Sequence, residues 1–518
     1  MAATALLLIN RTDQQQVAVD HLSIPGFDHV RVHTVDERQL STAPAAIQRA
    51  EDATNVDFVL YARNDQVGQR YSLGPAIRTL RTGYSAISGI DDHEWLVQTR
   101  QVLADLRSGH APLPLPACAA PTAGKVCAPR GTFSLIFDTE QLGGVRFGLP
   151  RILALLDRYG VKATFFVTGF VQQIYPELLP ALAARGHEVG LHGQWHEWLA
   201  GLSQAEQSRR IGEHLALFQQ TLPQHTQVVG ANFIYRMDAN TATALAEQGL
   251  RYFVVFAHHY YRPFAYRRPS AMPLPLTTAA GMLWLVPVPV QTYSLPWWGT
   301  RLLIDSALCE SAQRGTPHVT VLMHPFRDGS QRHLPQLDAL LRYLTEQRQL
   351  AACRLCDWVP PMPSCDTTCH IYVDIDRINA SYPEGIPRQP WQRSEGYFAR
   401  LALLYQALCE LGHQPVVTSD RDALPTSYAI YPDGVAAARQ LSFDPLLAGN
   451  GDRRGWQTLL AKLAAVAGPL TFMPPRGRGQ WRTSLATNRP RYAQDLWGLG
   501  PEFAIRLAYR WRRGRACF

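Results

Sequence analysis

The chain has 518 residues, 46% hydrophobic and 18% charged, a composition that excludes a disordered protein and a length that exceeds one ordinary core, so two to four domains are expected. The net charge of +8 is uneven: between Arg476 and Arg515 ten arginines stand against two acids, Asp495 and Glu502. That stretch is either a solvated basic face or a surface for anionic lipid or phosphate groups, and nucleic acid is not an expected partner.

The first ten residues hold one short apolar run and no basic leader. They are expected as a strand rather than a signal peptide. No segment reaches the roughly 18 apolar residues of a spanning helix, so a cytoplasmic location is the expectation. Residues 1–110 alternate strand patterns (4–9, 30–34, 57–61, 84–90) with helix patterns (43–51, 73–80, 93–106). This predicts a small α/β sandwich with a largely parallel sheet, of unreadable role. Residues 111–130 contain Pro112, Pro114, Pro116, Pro121 and Pro129, which favour an extended, semi-rigid linker.

Residues 131–360 alternate again. Strands are expected at 132–138, 162–168, 186–192, 227–231, 252–256, 283–288 and 318–323. Helices are expected at 148–158, 176–184, 204–221 and 335–346, the third opened by a capping box of Ser203 and Glu206. The strands are apolar without alternation, as strands buried on both faces are, and about 230 residues suit a (β/α) barrel. Residues 366–518 form a third, C-terminal α/β region with the Arg-rich end. Its expected strands lie at 370–375, 415–418, 428–431 and 469–473, its helices at 394–411 and 456–466.

The nine cysteines are an odd number in a large chain, which is not a disulfide framework. Four of them, Cys353, Cys356, Cys365 and Cys369, cluster beside His370. They are free thiols, one incidental disulfide, or a structural zinc site with unusual spacing.

In a parallel barrel the chemistry sits at the C-terminal strand ends, and three of those ends carry it. The first strand ends Phe137-Asp138-Thr139-Glu140; one carboxylate can bind a metal while the other takes a proton, although two acids in an exposed turn would look the same. The strand Gly186-His187-Glu188-Val189-Gly190-Leu191 runs into His192 and His196, two imidazoles four apart that make half of a divalent metal site. The last strand ends Leu322-Met323-His324-Pro325, where a histidine fixed by the following proline suits a general acid.

These stretches, with GVKATFFV at 160–167, together resemble the polysaccharide deacetylase family with its NodB homology domain. The resemblance covers about residues 131–360. It implies a distorted (β/α) barrel of the NodB type and metal-dependent hydrolysis of the N-acyl amide of an amino sugar, in a cell-wall or envelope glycan or its precursor. Carried over residue by residue, Asp138 would be the base and His324 the acid. Glu140, His192 and His196 would hold a divalent metal, Zn²⁺ foremost, and Leu322 would line the pocket for the acyl methyl. Glu140 stands where the family more often has Asp. Trp297 and Trp298, in a stretch that resembles the family's variable substrate groove, would either stack on sugar rings or pack in the core. The family's arginine-proline motif after the fourth strand is altered here. Asn232 falls near the arginine position, no proline follows, and Arg236 is the cation that could swing in. The rival expectation is therefore a catalytically impaired carbohydrate-binding or regulatory protein on the same barrel. A third reading, nucleotide-sugar binding at Asp374 and Asp376, rests on one weak Asp-x-Asp pattern.

Overall fold

The computed structural model describes residues 112–122, 128–194, 199–233, 237–256, 273–292, 297–312 and 317–360, eight strands outside those spans and a few isolated positions. The chain divides into two compact units. One is Met1–Arg236 with Val321–Trp358, the other Met237–Thr320 with Val359–Phe518.

The first unit begins with β1 (Thr4–Asn10), β2 (His29–Val35), β3 (Phe58–Ala62) and β4 (Thr79–Leu80). They pair in parallel in the order β2-β1-β3-β4, which is the parallel sheet that the alternation predicts. Strand β4 corrects the helix expected over 73–80 at its end. Thr79 and Leu80 pair with Tyr61 and Ala62, and sheet pairing overrides a weak helical preference. The strand expected at 84–90 and the helix at 43–51 lie outside the described residues. So does the helix at 93–106, except for helical Gln101.

The segment expected as a linker is tied down at 112–122. Leu113 is buried, and its N–H donates to Glu177 Oε1 at 2.7 Å. Arg146 donates to the Pro112 carbonyl at 2.5 Å, Arg185 donates to the Pro116 carbonyl, and the Thr122 N–H reaches the Arg158 carbonyl at 3.0 Å. The prolines hold the chain extended, and side chains of the flanking helices satisfy backbone groups that proline cannot pair internally.

Next come β5 (Thr132–Thr139), a π-helical turn at Gly144–Gly148 running into α1 (Leu149–Tyr159), β6 (Thr164–Val167), α2 (Gly169–Ile174), α3 (Leu178–Ala184), β7 (Glu188–Leu191), α4 (Gln204–Thr221) and β8 (Gly230–Ala231). Strands β5 to β8 are consecutive parallel neighbours. In β5, Phe133, Leu135, Ile136 and Phe137 have no exposed surface, as expected of a strand covered on both faces. The strands approach closely at Gly190, where an added Cβ would meet the Phe166 ring at 2.6 Å and the Gly230 carbonyl at 2.9 Å. Helix α1 stops at Gly160, left-handed with φ 63°, the αL terminator that glycine adopts without strain. Helix α4 has the bounds that its pattern predicts, and Ser203 Oγ accepts from the Glu206 N–H at 3.3 Å. The Glu206 carboxylate instead holds Arg209 and Arg210.

The second unit contributes α5 (Ala239–Glu247), β9 (Tyr252–Phe256), β10 (Leu274–Thr278), β11 (Gly281–Val288), β12 (Val290–Gln291) and α6 (Trp297–Ala312). Strand β13 (His318–Met323) begins in this unit and ends in the first. The first unit resumes with α7 (Pro325–Asp328), α8 (Leu334–Arg342) with a π-helical turn at Tyr343–Gln347, β14 (Ala351–Ala352) and α9 (Leu355–Trp358). There β13 and β14 both flank β5. The second unit ends with β15 (Cys369–Val373), β16 (Pro415–Ser419), β17 (Gln440–Ser442) and β18 (Leu470–Met473). Its strands run in the order β9-β11-β10-β16-β15-β18-β17, parallel except for the β10–β11 hairpin. Sequence patterning misses β10 because Pro275 interrupts it, although Pro275 pairs with Trp284. The architecture is mixed α/β with mostly parallel strands, the class expected. The strand expected at 428–431 and the helix at 456–466 lie outside the described residues.

Candidate active site

Four strands of the first unit end on polar residues: β5 on Asp138, Thr139 and then Glu140, β7 on His192, β8 on Asn232, and β13 on His324. Because β5 to β8 are parallel neighbours and β13 lies beside β5, these ends share one side of the sheet. Asp138, Glu140, His192 and His324 are each at most 6% exposed. His192 Nε2 stands 3.1 Å from Glu140 Oε2 and 3.9 Å from Asp138 Oδ2. His324 Nε2 stands 3.7 Å from the same Asp138 oxygen. Asp138 thus lies between two imidazoles.

Asn232 holds this group together. Its Nδ2 donates to Asp138 Oδ1 at 2.7 Å. Its carbonyl accepts from His192 Nδ1, and its own N–H donates to the Leu191 carbonyl at 2.9 Å. One residue therefore orients both the candidate base and a candidate metal ligand. The sequence places Asn232 beside the position where a cation is usual, but the second contact, through its backbone, has no sequence signal. Arg236 lies outside the described residues.

The electrostatics follow from this packing. With Nδ1–H committed to a carbonyl, His192 directs Nε2 at two carboxylates. Burial opposes a charge on the ring, but Asp138 and Glu140 outweigh it and raise the pKa to about 9. A nitrogen lone pair facing carboxylate oxygens at this range demands a proton or a cation between them. A histidine ligand whose other nitrogen is bound to a carbonyl is the usual outer support of a metal site. Glu140 and His192 therefore fit a divalent cation by donor type and by support. The third expected ligand, His196, lies outside the described residues, and among the described residues no group of three or more His, Cys, Asp or Glu side chains is placed to hold a metal.

Leu322 is fully buried on β13, two residues before His324 and so on the same strand face. Trp297 and Trp298 lie in the second unit, at the start of α6 and half-buried, with the Arg301 guanidinium 6.0 Å from the centre of the Trp297 ring. Cys353 and Cys356 are free thiols. Cys353 Sγ contacts the Phe133 carbonyl and Ser134 Oγ, and burial raises both thiols. Cys365 and the side chain of Cys369 lie outside the described residues, as do Asp374 and Asp376.

Residues 125–253 match the family model described as polysaccharide deacetylase. The chain carries a polysaccharide deacetylase domain. The match takes in Asp138, Glu140, His192 and Asn232 and stops before His324. The chain is 28% identical over 148 residues to a peptidoglycan deacetylase-like protein of Gibberella zeae, covering 28% of this chain and 43% of that protein. It is 40% identical over 50 residues to a peptidoglycan deacetylase of Helicobacter pylori, covering 10% and 17%. The chain thus spans less than half the length of either relative. Among solved structures, a Mycobacterium smegmatis protein assigned to the polysaccharide deacetylases is 18% identical with a TM-score of 0.38, over 48% of this chain and 99% of that one. No helix among the described residues is long and apolar enough to cross a membrane.

Proposed function

We propose that the deacetylase domain hydrolyses the N-acyl amide, acetyl or formyl, of an amino sugar in a cell-wall or envelope glycan or its precursor. The observation that carries this reading is the buried convergence of Asp138, Glu140, His192 and His324, with Asp138 within 4 Å of both imidazoles. Glu140 and His192, joined by His196 on the family resemblance, would hold a divalent ion, zinc foremost. When bound, such an ion supplies Lewis acidity toward the amide carbonyl and acidifies water.

The chain's own residues divide the proton work. Asn232 bonds Asp138 Oδ1, and Oδ2, the oxygen that faces both imidazoles, takes a proton from the attacking water. An amine leaves only when protonated, and His324 Nε2, 3.7 Å from that same oxygen, would deliver the proton to the departing nitrogen. The burial of all four groups strengthens each interaction by excluding water. Leu322 would pack against the acyl methyl. The Arg-rich end would meet anionic lipid or phosphate on an envelope substrate.

The second reading, a carbohydrate-binding protein with impaired catalysis, draws on one observation: the Asn232 side-chain amide contacts Asp138 Oδ1, near the position where the family more often has an arginine. The test of both is to load the full chain with zinc, add N-acetylglucosamine oligomers or glycan strands, and quantify acetate and new primary amines. The hydrolytic reading predicts both in equal amounts. Glycan binding with zinc retained and no acetate would establish the second reading instead.

A further inference from the structure

Arg327 and Asp328 are each 4% exposed and form an ion pair, Arg327 Nη1 to Asp328 Oδ1, at 2.7 Å. Burying two charges strips their hydration, so the pair calls for a compensating role. The remaining Asp328 oxygen, Oδ2, accepts from the His324 backbone N–H at 2.8 Å. The Asp328 N–H in turn donates to the His324 carbonyl at 2.8 Å, and the Arg327 N–H joins it at 3.1 Å. One residue thus grips the peptide groups on both sides of the His324 Cα.

The mount beneath is equally constrained. His324 is the N-cap of the one-turn helix α7, extended at φ −135° and ψ 129°, and Pro325 follows it. Its side chain makes no cap bond; the Arg327 and Asp328 N–H groups go to the His324 carbonyl, and the imidazole faces Asp138. Behind the turn, Gly148 sits so close that an added Cβ would lie 2.0 Å from the Pro325 carbonyl. Arg151 donates to the Gly329 carbonyl at 3.1 Å.

We propose that Asp328, itself fixed by Arg327, is the positioning residue for His324: it sets the backbone from which the imidazole reaches Asp138 and the leaving nitrogen. This rests on the reading of His324 as the general acid. A displacement of about 1 Å at such a group lowers turnover on the order of 100-fold.

The experiment compares Asp328→Ala, Asp328→Asn and His324→Ala in the zinc-loaded full chain, with kcat, KM, zinc content and thermal midpoint measured for each. Asp328→Ala should lower kcat about 100-fold while KM and zinc content stay within twofold. Asp328→Asn, which keeps an oxygen for the His324 N–H, should fall between Asp328→Ala and wild type. It also carries the test should Asp328→Ala fail to fold. If His324→Ala is inactive while both Asp328 variants keep wild-type kcat, the positioning role is overturned. A parallel loss of zinc, KM and stability without a selective fall in kcat would show a structural role alone and overturn it too. If His324→Ala itself retains full turnover, the acid assignment falls, and the positioning role with it.

Discussion

Asn232→Ala tests the least expected contact of the site. The substitution removes the 2.7 Å bond from Nδ2 to Asp138 Oδ1, in a place where Asn232 has no exposed surface and Asp138 only 5%. Hydrogen bonds to charged groups contribute about 1.5–3 kcal/mol. If that amount is realised in the transition state, kcat/KM falls about 10- to 150-fold. The backbone carbonyl that accepts from His192 Nδ1 survives the change, so zinc content should stay within twofold of wild type. Asn232→Asp should do more harm than alanine, because two carboxylates at this distance share a proton and take the base out of action at neutral pH. The assay is kcat/KM for acetate release, with zinc content and thermal midpoint measured on the same preparations. An Asn232→Ala enzyme with wild-type kcat/KM would refute the claim that this amide orients the base.

Other outcomes follow from the same structure. Glu140→Ala should cost most of the bound zinc after dialysis, read by elemental analysis, because it removes the carboxylate nearest His192 Nε2. Glu188 lies at the opposite end of β7 from His192, where its carboxylate accepts from Thr164 Oγ1 at 2.7 Å and the Cys356 N–H at 3.0 Å. Glu188→Ala should therefore lower stability by about 2–4 kcal/mol in denaturant titration and leave kcat near wild type. His187 and His214 are both held down to about 3, from 6.5, by burial first and then by nearby positive groups. Above pH 6.5 neither the folded nor the unfolded state protonates them. As pH falls from 6.5 toward 3 the unfolded chain binds protons that the folded chain refuses, so stability declines. At pH 4.5 each histidine should account for about 2–3 kcal/mol of that loss. His214→Leu should flatten the decline by one such share between pH 7 and 4.5, and parallel pH profiles for variant and wild type would contradict the assignment.

Much of this site is legible in the chain because apolar strands that end in acids or histidines announce their own C-terminal ends. Strands β5, β9 and β13 and helix α4 fall on or within a residue of their patterns, since burial on both faces leaves a run without alternation. What the pattern hides is of three kinds. Strand β10 contains a proline, and helix α6 lacks apolar periodicity. The grip of Asn232 on His192 passes through a backbone carbonyl, which no residue type reveals. Arg327 and Asp328 carry no sequence signal of their shared burial. The tied-down strap at 112–122 is similar, because prolines predict extension but say nothing of the arginines and glutamate that bind it.

The most direct test of the central claim compares the zinc-loaded full chain with its Asp138→Asn variant on an N-acetylglucosamine oligomer, following acetate by enzymatic assay and zinc by elemental analysis. Loss of acetate release in the variant by a factor on the order of 100 or more, with zinc retained and wild type active, is the predicted result. Equal acetate release from both proteins would contradict the assignment of Asp138 as the base and, with it, the proposed chemistry of this site.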